Sequence, residues 1–328
     1  MRRGRDLLLL MGALAAPDVA YGQSAPRLPE VDRIRLAEAF RLTDRIQPRV
    51  WPGWERIPMA VLLVADSTEY LVGHPSPTPE FTSLGRDPLL QREVLARPRR
   101  LPPTLLATFP AVGGKATIVV GTAERTGKSS VEWVLTLVHE HFHQWQSSLP
   151  DYYTRANALG LARGDTTGQW MLDYPFPYDS AAVGKRVKAL ASSVARALAS
   201  DRSIDQVTRE REALRRELSP DDSRYLEFQL WQEGVPRYLE IAAAQAAASA
   251  GEPSEVFRRL PDYVAYADLA ARLRRKLDRQ LTELDLGHDR RTTFYPLGAG
   301  LALLLERAGV DWKRSYEEHL FSLAPLSP

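Results

Sequence analysis

The sequence of 328 residues contains no cysteine and only six histidines. The absence of cysteine excludes disulfide bonds, a lipid anchor attached through a cysteine, and every metal site that uses thiolate ligands. The chain also has no glycine-rich phosphate loop, no long low-complexity tract and no convincing internal repeat, which disfavours a solenoid architecture. Three of the six histidines nevertheless lie close together, between positions 139 and 143.

Long hydrophobic runs are also missing. Apart from the N-terminus, no segment approaches the roughly 20 apolar residues that a transmembrane helix requires. At the N-terminus, three arginines precede a short apolar run at residues 7–16, and small residues at 20–22 offer a cleavage site. We therefore interpret residues 1–22 as a secretory signal peptide and predict a secreted or periplasmic protein without a stable membrane span. The alternative is a membrane anchor that stays attached.

Neither sign of charge is in clear excess. The chain has 43 basic and 41 acidic residues, and 40 basic and 39 acidic residues remain when residues 1–22 are left out. A nearly neutral mature chain gives no electrostatic reason to expect nucleic acid as a partner. The contents of 44% hydrophobic and 26% charged residues are those of an ordinary globular protein. We predict a single unit over residues 23–328.

Hydrophobic periodicity divides this unit near residue 128. Residues 23–128 combine an amphipathic helix with a small number of strands, and residues 129–328 are helical almost throughout, apart from an aromatic segment at 150–180. A small sheet followed by helices predicts an α+β architecture. Strands are predicted at 59–66, 68–73, 104–110 and 115–122, and helices at 31–46, 129–149, 181–199, 204–217, 222–249, 262–284, 297–309 and 311–322.

The stretch VHEHFHQWQ, residues 138–146, holds the three clustered histidines. The apolar residues before it recur in steps of three and four, which favours a helix. On a helix, His139 and His143 lie on one face, one turn apart, and His141 points elsewhere as a structural or exposed residue. On a strand, His139 and His141 would instead form an H-x-H metal site. Adjacent apolar pairs in the same stretch disfavour that alternative.

In the helical interpretation, His139, Glu140 and His143 form the pattern H-E-x-x-H. Two imidazoles one turn apart can hold one zinc ion. Glu140 is about 100° further round the helix and can reach a water molecule on the metal and take its proton. We therefore predict zinc as the cofactor. The alternative is a polar helix face that binds no metal.

A catalytic zinc ion needs a third protein ligand and an open position. The best candidate is Glu233 in the segment LWQEGVPRYLE, residues 230–240. Gly234 and Pro236 follow it, although they disfavour a helix interior by about 1 and about 3 kcal/mol relative to alanine. Their presence predicts that another element approaches this helix closely. Glu240, two turns later on a similar face, is the alternative ligand.

Tyr295 precedes a very apolar helix and has Pro296 directly after it, at the helix entrance. A phenol at this position can donate a hydrogen bond to a developing oxyanion. The alternative is a tyrosine that only packs at the start of a core helix.

Together these stretches resemble the gluzincin metallopeptidases, especially the catalytic unit of the aminopeptidase N family. The shared motifs, in the same order, are His139-Glu140-x-x-His143, Glu233-Gly234-x-x-x-Tyr238-x-Glu240 and Tyr295-x-x-Gly298. The resemblance implies a zincin-like fold in which His139, His143 and Glu233 bind zinc. It also implies that Glu140 is the general base and that Tyr295 stabilises the tetrahedral intermediate.

The chain departs from that family in several places. An interval of 89 residues, 144–232, separates the second histidine from Glu233, which is much longer than in the family and which we interpret as an insertion. The exopeptidase motif G-A-M-E-N and the large N-terminal β-domain are missing, and Arg237 replaces an expected aspartate. Aminopeptidase specificity therefore does not carry over. The sequence predicts a secreted zinc-dependent hydrolase acting on a peptide or protein, with an inactive zincin-like metal- or partner-binding protein as the alternative.

Two further features allow two interpretations each. The strand at 115–122 is either the edge strand along which a zincin holds an extended peptide, or an ordinary strand inside the sheet. The aromatic residues of segment 150–180 either line a substrate pocket or pack the loop against the core. These aromatic residues are Trp170, Tyr174, Phe176 and Tyr178.

Overall fold

The computed structural model describes residues 26–200, 204–309 and 311–323, and the predicted signal peptide at residues 1–22 lies outside them. The predicted α+β architecture is confirmed, because a six-stranded mixed sheet in the N-terminal part is followed by a mostly helical C-terminal part. The strands are β1 (Val61–Val64), β2 (Thr68–Val72), β3 (Thr82–Asp87), β4 (Arg92–Pro98), β5 (Leu106–Val112) and β6 (Lys115–Gly121).

The helices account for most of the described chain after residue 129. They are α1 (Glu30–Val50), α2 (Ser130–Ser148), α3 (Tyr152–Ala158), α4 (Trp170–Asp173), α5 (Ala181–Ala199), α6 (Asp205–Glu217), α7 (Pro220–Gln229), α8 (Val235–Ser249), α9 (Glu255–Arg258), α10 (Tyr266–Glu283), α11 (Leu286–Asp289), α12 (Phe294–Ala308) and α13 (Trp312–Glu318). Short 3₁₀ turns occupy Trp54–Arg56 and Arg290–Thr293. Within the described ranges, no helix is both long enough and apolar enough to cross a membrane.

The sheet has the strand order β3-β4-β2-β1-β6-β5. Strands β1 and β6 are parallel, and every other neighbouring pair is antiparallel. The segment predicted as a candidate edge strand, residues 115–122, is β6 and lies between β1 and β5. That interpretation is therefore wrong, and the edge strand on this side is β5.

Two of the six strands, β3 and β4, were not predicted. They lie on the opposite side of the sheet, where β3 is the edge strand, and the side chains of β3 are exposed or only half-buried. Gly85, at a φ of 88°, lies within an irregular pairing between Ser83 and Arg86. A polar, irregular edge strand lacks the alternation of buried and exposed residues that identifies strands in a sequence.

Helix α2 carries the histidine cluster, so the H-x-H strand alternative is wrong. Ser129 caps the helix through its side chain, and Glu132 returns a hydrogen bond to the Ser129 backbone, forming a capping box. The Trp133 indole donates to the carbonyl of Gly121 at the end of β6, at 2.8 Å. The helix is buried along nearly its whole length and packs against α1, α8, β5 and β6.

The single helix predicted at 222–249 is divided into α7 and α8 by a π-helical turn at Leu230–Gly234. This turn crosses α12 so closely that a Cβ atom added to Gly234 would lie 2.5 Å from the Cα atom of Gly298. The close approach predicted from Gly234 and Pro236 is therefore confirmed. Pro236 lacks the N–H that would bond to the carbonyl of Gln232 or Trp231, and both carbonyls accept from Gln146 instead.

The aromatic segment at 150–180 packs into the core. Trp170, Tyr174, Phe176 and Tyr178 are all buried, and their rings contact Tyr225, Phe228 and Phe294. Of the two interpretations of this segment, loop packing is the one that the structure supports.

Candidate metal centre

His139 and His143 turn the same ring nitrogen toward one point. Their Nε2 atoms lie 3.1 Å apart, and both side chains are buried. Two nitrogen ligands of one tetrahedral zinc ion, each at its usual bond length, would be about 3.3 Å apart. His139, Glu140 and His143 form a group whose potential ligand atoms all lie within 4.8 Å of one another. This buried His-Glu-His group could therefore hold a metal ion.

Glu233 reaches the same point from the π-helical turn. Its Oε2 atom lies 3.6 Å from Nε2 of His143 and 4.0 Å from Nε2 of His139. Burial disfavours charge on both partners, but the contact between them lowers the pKa of Glu233 to about 2 and raises that of His143 to about 9. The three side chains thus create a place where positive charge is stabilised.

Glu240 lies behind His139, on the ring nitrogen that faces away from Glu233. Its Oε1 atom is 2.8 Å from Nδ1 of His139, and Arg237 donates to its other oxygen. Although burial opposes ionisation, Arg237 and His139 lower the pKa of Glu240 to about 2. A carboxylate at Nδ1 places the proton there and leaves the Nε2 lone pair free for a metal. The outer partner of His139, which the sequence does not identify, is therefore Glu240.

His143 has a neutral outer partner, because Oε1 of Gln146 lies 2.6 Å from its Nδ1. The amide nitrogen of Gln146 donates to the carbonyls of Trp231 and Gln232, at 3.2 and 3.3 Å, which fixes the amide with its oxygen toward the imidazole. The phenol of Tyr316, 2.6 Å away, is a further partner of the same amide nitrogen. The sequence contained a local signal for this contact, since Gln146 lies three residues after His143 on one helix.

Glu140 is buried between α2 and the edge strand β5. The hydroxyl of Thr108 on β5 is 2.9 Å from Oε2 of Glu140 and also 2.9 Å from its backbone carbonyl, and either oxygen can accept the proton. The carboxylate is therefore held on the side of the cluster next to β5, the last strand of the sheet.

Tyr295 lies in the first turn of α12, beside Glu233. Arg291 connects the two, because its Nη1 atom lies 2.9 Å from the Tyr295 phenol oxygen and 3.3 Å from Oε1 of Glu233. Burial, and then the negative charge of Glu233, raise the pKa of Tyr295 well above its usual range. The phenol therefore keeps its proton at neutral pH and remains a hydrogen-bond donor. None of the sequence motifs includes Arg291.

His141 lies apart from this group, as expected from its helical position. It is fully buried, and its ring nitrogens contact Gln144 at 2.9 Å and Gln47 at 2.7 Å. Burial lowers the pKa of His141 to about 4, so its imidazole is neutral at physiological pH. His141 therefore has a structural role in joining α2 to α1.

The predicted site residues thus come from three separate stretches of sequence and lie around one point. They are His139, Glu140, His143, Glu233 and Tyr295. Comparison of the chain with protein-family models, curated proteins and solved structures finds no match.

Proposed function

We propose that this protein is a zinc-dependent hydrolase of the gluzincin type that cleaves peptide bonds. The observation that carries the proposal is the convergence of Nε2 of His139, Nε2 of His143 and Oε2 of Glu233 on one point, with Glu140 and Tyr295 beside it. Because residues 1–22 have the pattern of a secretory signal peptide, we also propose that the mature chain acts outside the cytoplasm.

The donor set suits the proposed metal. Two imidazoles and one carboxylate are a common protein ligand set for catalytic zinc, and they leave a position for water or substrate. The outer contacts of Glu240 with His139 and of Gln146 with His143 orient both imidazoles with Nε2 inward. When bound, the zinc ion supplies a Lewis acid that polarises a carbonyl and lowers the pKa of a coordinated water molecule.

Proton transfer is assigned to Glu140. Its carboxylate takes a proton from the attacking water and then delivers it to the departing amine. The Thr108 hydroxyl at 2.9 Å holds one carboxylate oxygen in place during this exchange. The protonated phenol of Tyr295 donates a hydrogen bond to the oxygen that becomes negative when the carbonyl is attacked.

An extended peptide is the substrate that best fits the surroundings. Strand β5 is the edge of the sheet, and Thr108 connects it directly to Glu140. An edge strand offers unpaired backbone N–H and C=O groups, which can pair with the backbone of a peptide. A peptide bound along β5 would bring its backbone past the general base.

The decisive experiment combines metal analysis with turnover of a peptide library. We expect the purified protein to bind one equivalent of zinc and to cleave peptides. Glu140→Gln should keep the zinc and lose at least about a hundredfold in kcat, since general acid–base catalysis contributes on the order of 10²–10⁴-fold.

Glu283→Gln, at the exposed end of α10, is the matched control and should behave like the wild type. Absence of stoichiometric zinc would refute the metal site. Full zinc occupancy without turnover of any peptide would refute the peptidase and favour a zincin-like protein that binds metal or a partner without catalysis.

A further inference from the structure

Arg291 occupies a position next to the metal site that none of the three motifs includes. It lies in the 3₁₀ turn Arg290–Thr293, which directly precedes α12, and its side chain is 24% exposed. A single nitrogen, Nη1, contacts both Oε1 of Glu233 and the phenol oxygen of Tyr295. Since Nη1 carries two hydrogens, it can donate to both oxygens at once.

The contact with Glu233 divides the two oxygens of that carboxylate between two tasks. Oε2 faces the histidine nitrogens at 3.6 and 4.0 Å, and Oε1 accepts from Arg291 at 3.3 Å. A carboxylate can bind a metal through one oxygen or through both. With Oε1 engaged by a guanidinium, Glu233 presents a single oxygen to a metal ion.

The contact with Tyr295 fixes the direction of the phenol. The phenol oxygen accepts a hydrogen bond from Nη1 at 2.9 Å, so its own O–H cannot point back toward the arginine. The guanidinium is planar and rigid, and it therefore sets the orientation of both acceptors together.

We propose that Arg291 is a positioning residue that restricts Glu233 to one metal-facing oxygen and directs the Tyr295 hydroxyl away from itself, toward the metal-facing side. This inference rests on the proposed function for its catalytic part. Its metal-coordination part can be tested separately, whether or not a peptide substrate is found.

The test uses Arg291→Met and Arg291→Lys in the full mature chain, loaded with zinc or with cobalt. In Arg291→Met, Glu233 is free to bind through both oxygens. We expect zinc affinity to be unchanged or tighter, and the visible absorption of the cobalt form to weaken, because cobalt of higher coordination number absorbs less than tetrahedral cobalt. If peptides are cleaved, kcat should fall about 10- to 100-fold with little change in KM, as for other outer partners of metal ligands.

Arg291→Lys keeps the charge, but its side chain is one bond shorter and has no planar fork. We expect it to resemble Arg291→Met in the cobalt spectrum. Arg290→Met is the matched control, because the neighbouring Arg290 pairs with Asp179 on the surface, and it should leave the spectrum and zinc affinity unchanged. Far-ultraviolet circular dichroism checks that each variant is folded.

Three results would overturn the proposal. The first is a wild-type cobalt spectrum in folded Arg291→Met. The second is a wild-type spectrum in Arg291→Lys, which would show that positive charge alone suffices. The third is a loss of zinc affinity in Arg291→Met, which would mean that Arg291 only holds Glu233 in place. If the wild-type chain binds no metal, the proposed function fails at that earlier step, and if it binds metal without peptidase activity, the spectra still decide the role of Arg291.

Discussion

Buried charged groups gather at the N-terminal end of α2 and again in its C-terminal half, and the two groups are organised in different ways. At the N-terminal end the protein supplies its own cation. The guanidinium of Arg35 donates to Glu124 at 2.7 and 3.0 Å, to Asp32 at 3.3 Å and to the Ser130 hydroxyl at 2.8 Å. Asp262 then accepts from the Ser130 backbone and hydroxyl at 2.6 and 2.8 Å.

In the C-terminal half of α2 the arginines lie at the periphery instead. Arg237 contacts the outer oxygen of Glu240, and Arg291 contacts the outer oxygen of Glu233. The inner atoms are imidazole nitrogens and a carboxylate oxygen that face one another. The first arrangement surrounds a cation of the protein's own, Arg35, with carboxylates. The second has its negative and lone-pair groups directed inward, as a site for an external cation requires.

Removal of Arg35 should therefore cause the largest loss of stability among the variants considered. Arg35→Met removes the cation from Asp32 and Glu124 and the donor from the Ser130 hydroxyl, and breaking a buried ion pair costs about 3–5 kcal/mol. We expect the free energy of unfolding, measured by urea denaturation, to fall by about that amount. Zinc affinity should stay the same in the fraction that folds.

Arg125→Met provides the comparison for this variant. Arg125 pairs with Asp66 on the surface, where both side chains are at least half exposed. An exposed pair contributes about 0–1 kcal/mol, so this loss should be small. A similar loss of unfolding free energy in both variants would show that the Arg35 network contributes no more to stability than an exposed ion pair.

Added zinc should stabilise the protein only through the C-terminal half of α2. At a free zinc concentration a hundredfold above Kd, binding adds about 3 kcal/mol to the free energy of unfolding. Glu233→Gln should lose this increment. Asp262→Asn, which weakens the cap at the other end of α2, should lower the starting stability and keep the increment. Urea titrations with and without zinc measure the starting stability and the zinc-dependent increment. If Glu233→Gln kept the increment and Asp262→Asn lost it, the assignment of zinc binding to the C-terminal half of α2 would be wrong.

The sequence predicted those parts of this arrangement that depend on local order. Helix α2 was predictable because its cap and its apolar spacing lie within one continuous segment. The π-helical turn at Leu230–Gly234 was not predictable, because it lies where Gly234 closely approaches Gly298, 64 positions away in the chain. Only the unfavourable presence of Gly234 and Pro236 in a helix indicated that such a contact exists.

The sequence did not predict the roles of the residues that contact the candidate metal ligands, for a related reason. The sequence offers Glu240 as an alternative metal ligand because it lies near the helix face of Glu233, but a periodic pattern does not say which ring nitrogen of His139 it contacts. The structure places it 2.8 Å from Nδ1. Arg291 had no signal beyond its position four residues before Tyr295, since the pairing with Glu233 depends on the crossing of α12 with the π-helical turn.

The last expected effect concerns pH and tests the N-terminal network alone. Burial, only partly offset by Arg35 and reinforced by Glu124, raises the pKa of Asp32 from 3.8 to about 6. The folded state therefore binds a proton more tightly than the unfolded chain. The stability from this group is fully present below about pH 4 and is lost as the pH rises through about 6.

Asp32→Asn cannot lose that contribution, because an amide does not titrate. Relative to the wild type, its free energy of unfolding should therefore rise between pH 4 and pH 8 by roughly 2–3 kcal/mol, at 1.36 kcal/mol for each unit of pKa. Urea titrations at both pH values measure this difference, and carboxylates that titrate in both proteins cancel from it. If the difference in the free energy of unfolding between Asp32→Asn and the wild type did not change with pH, Arg35 would compensate the charge of Asp32 fully.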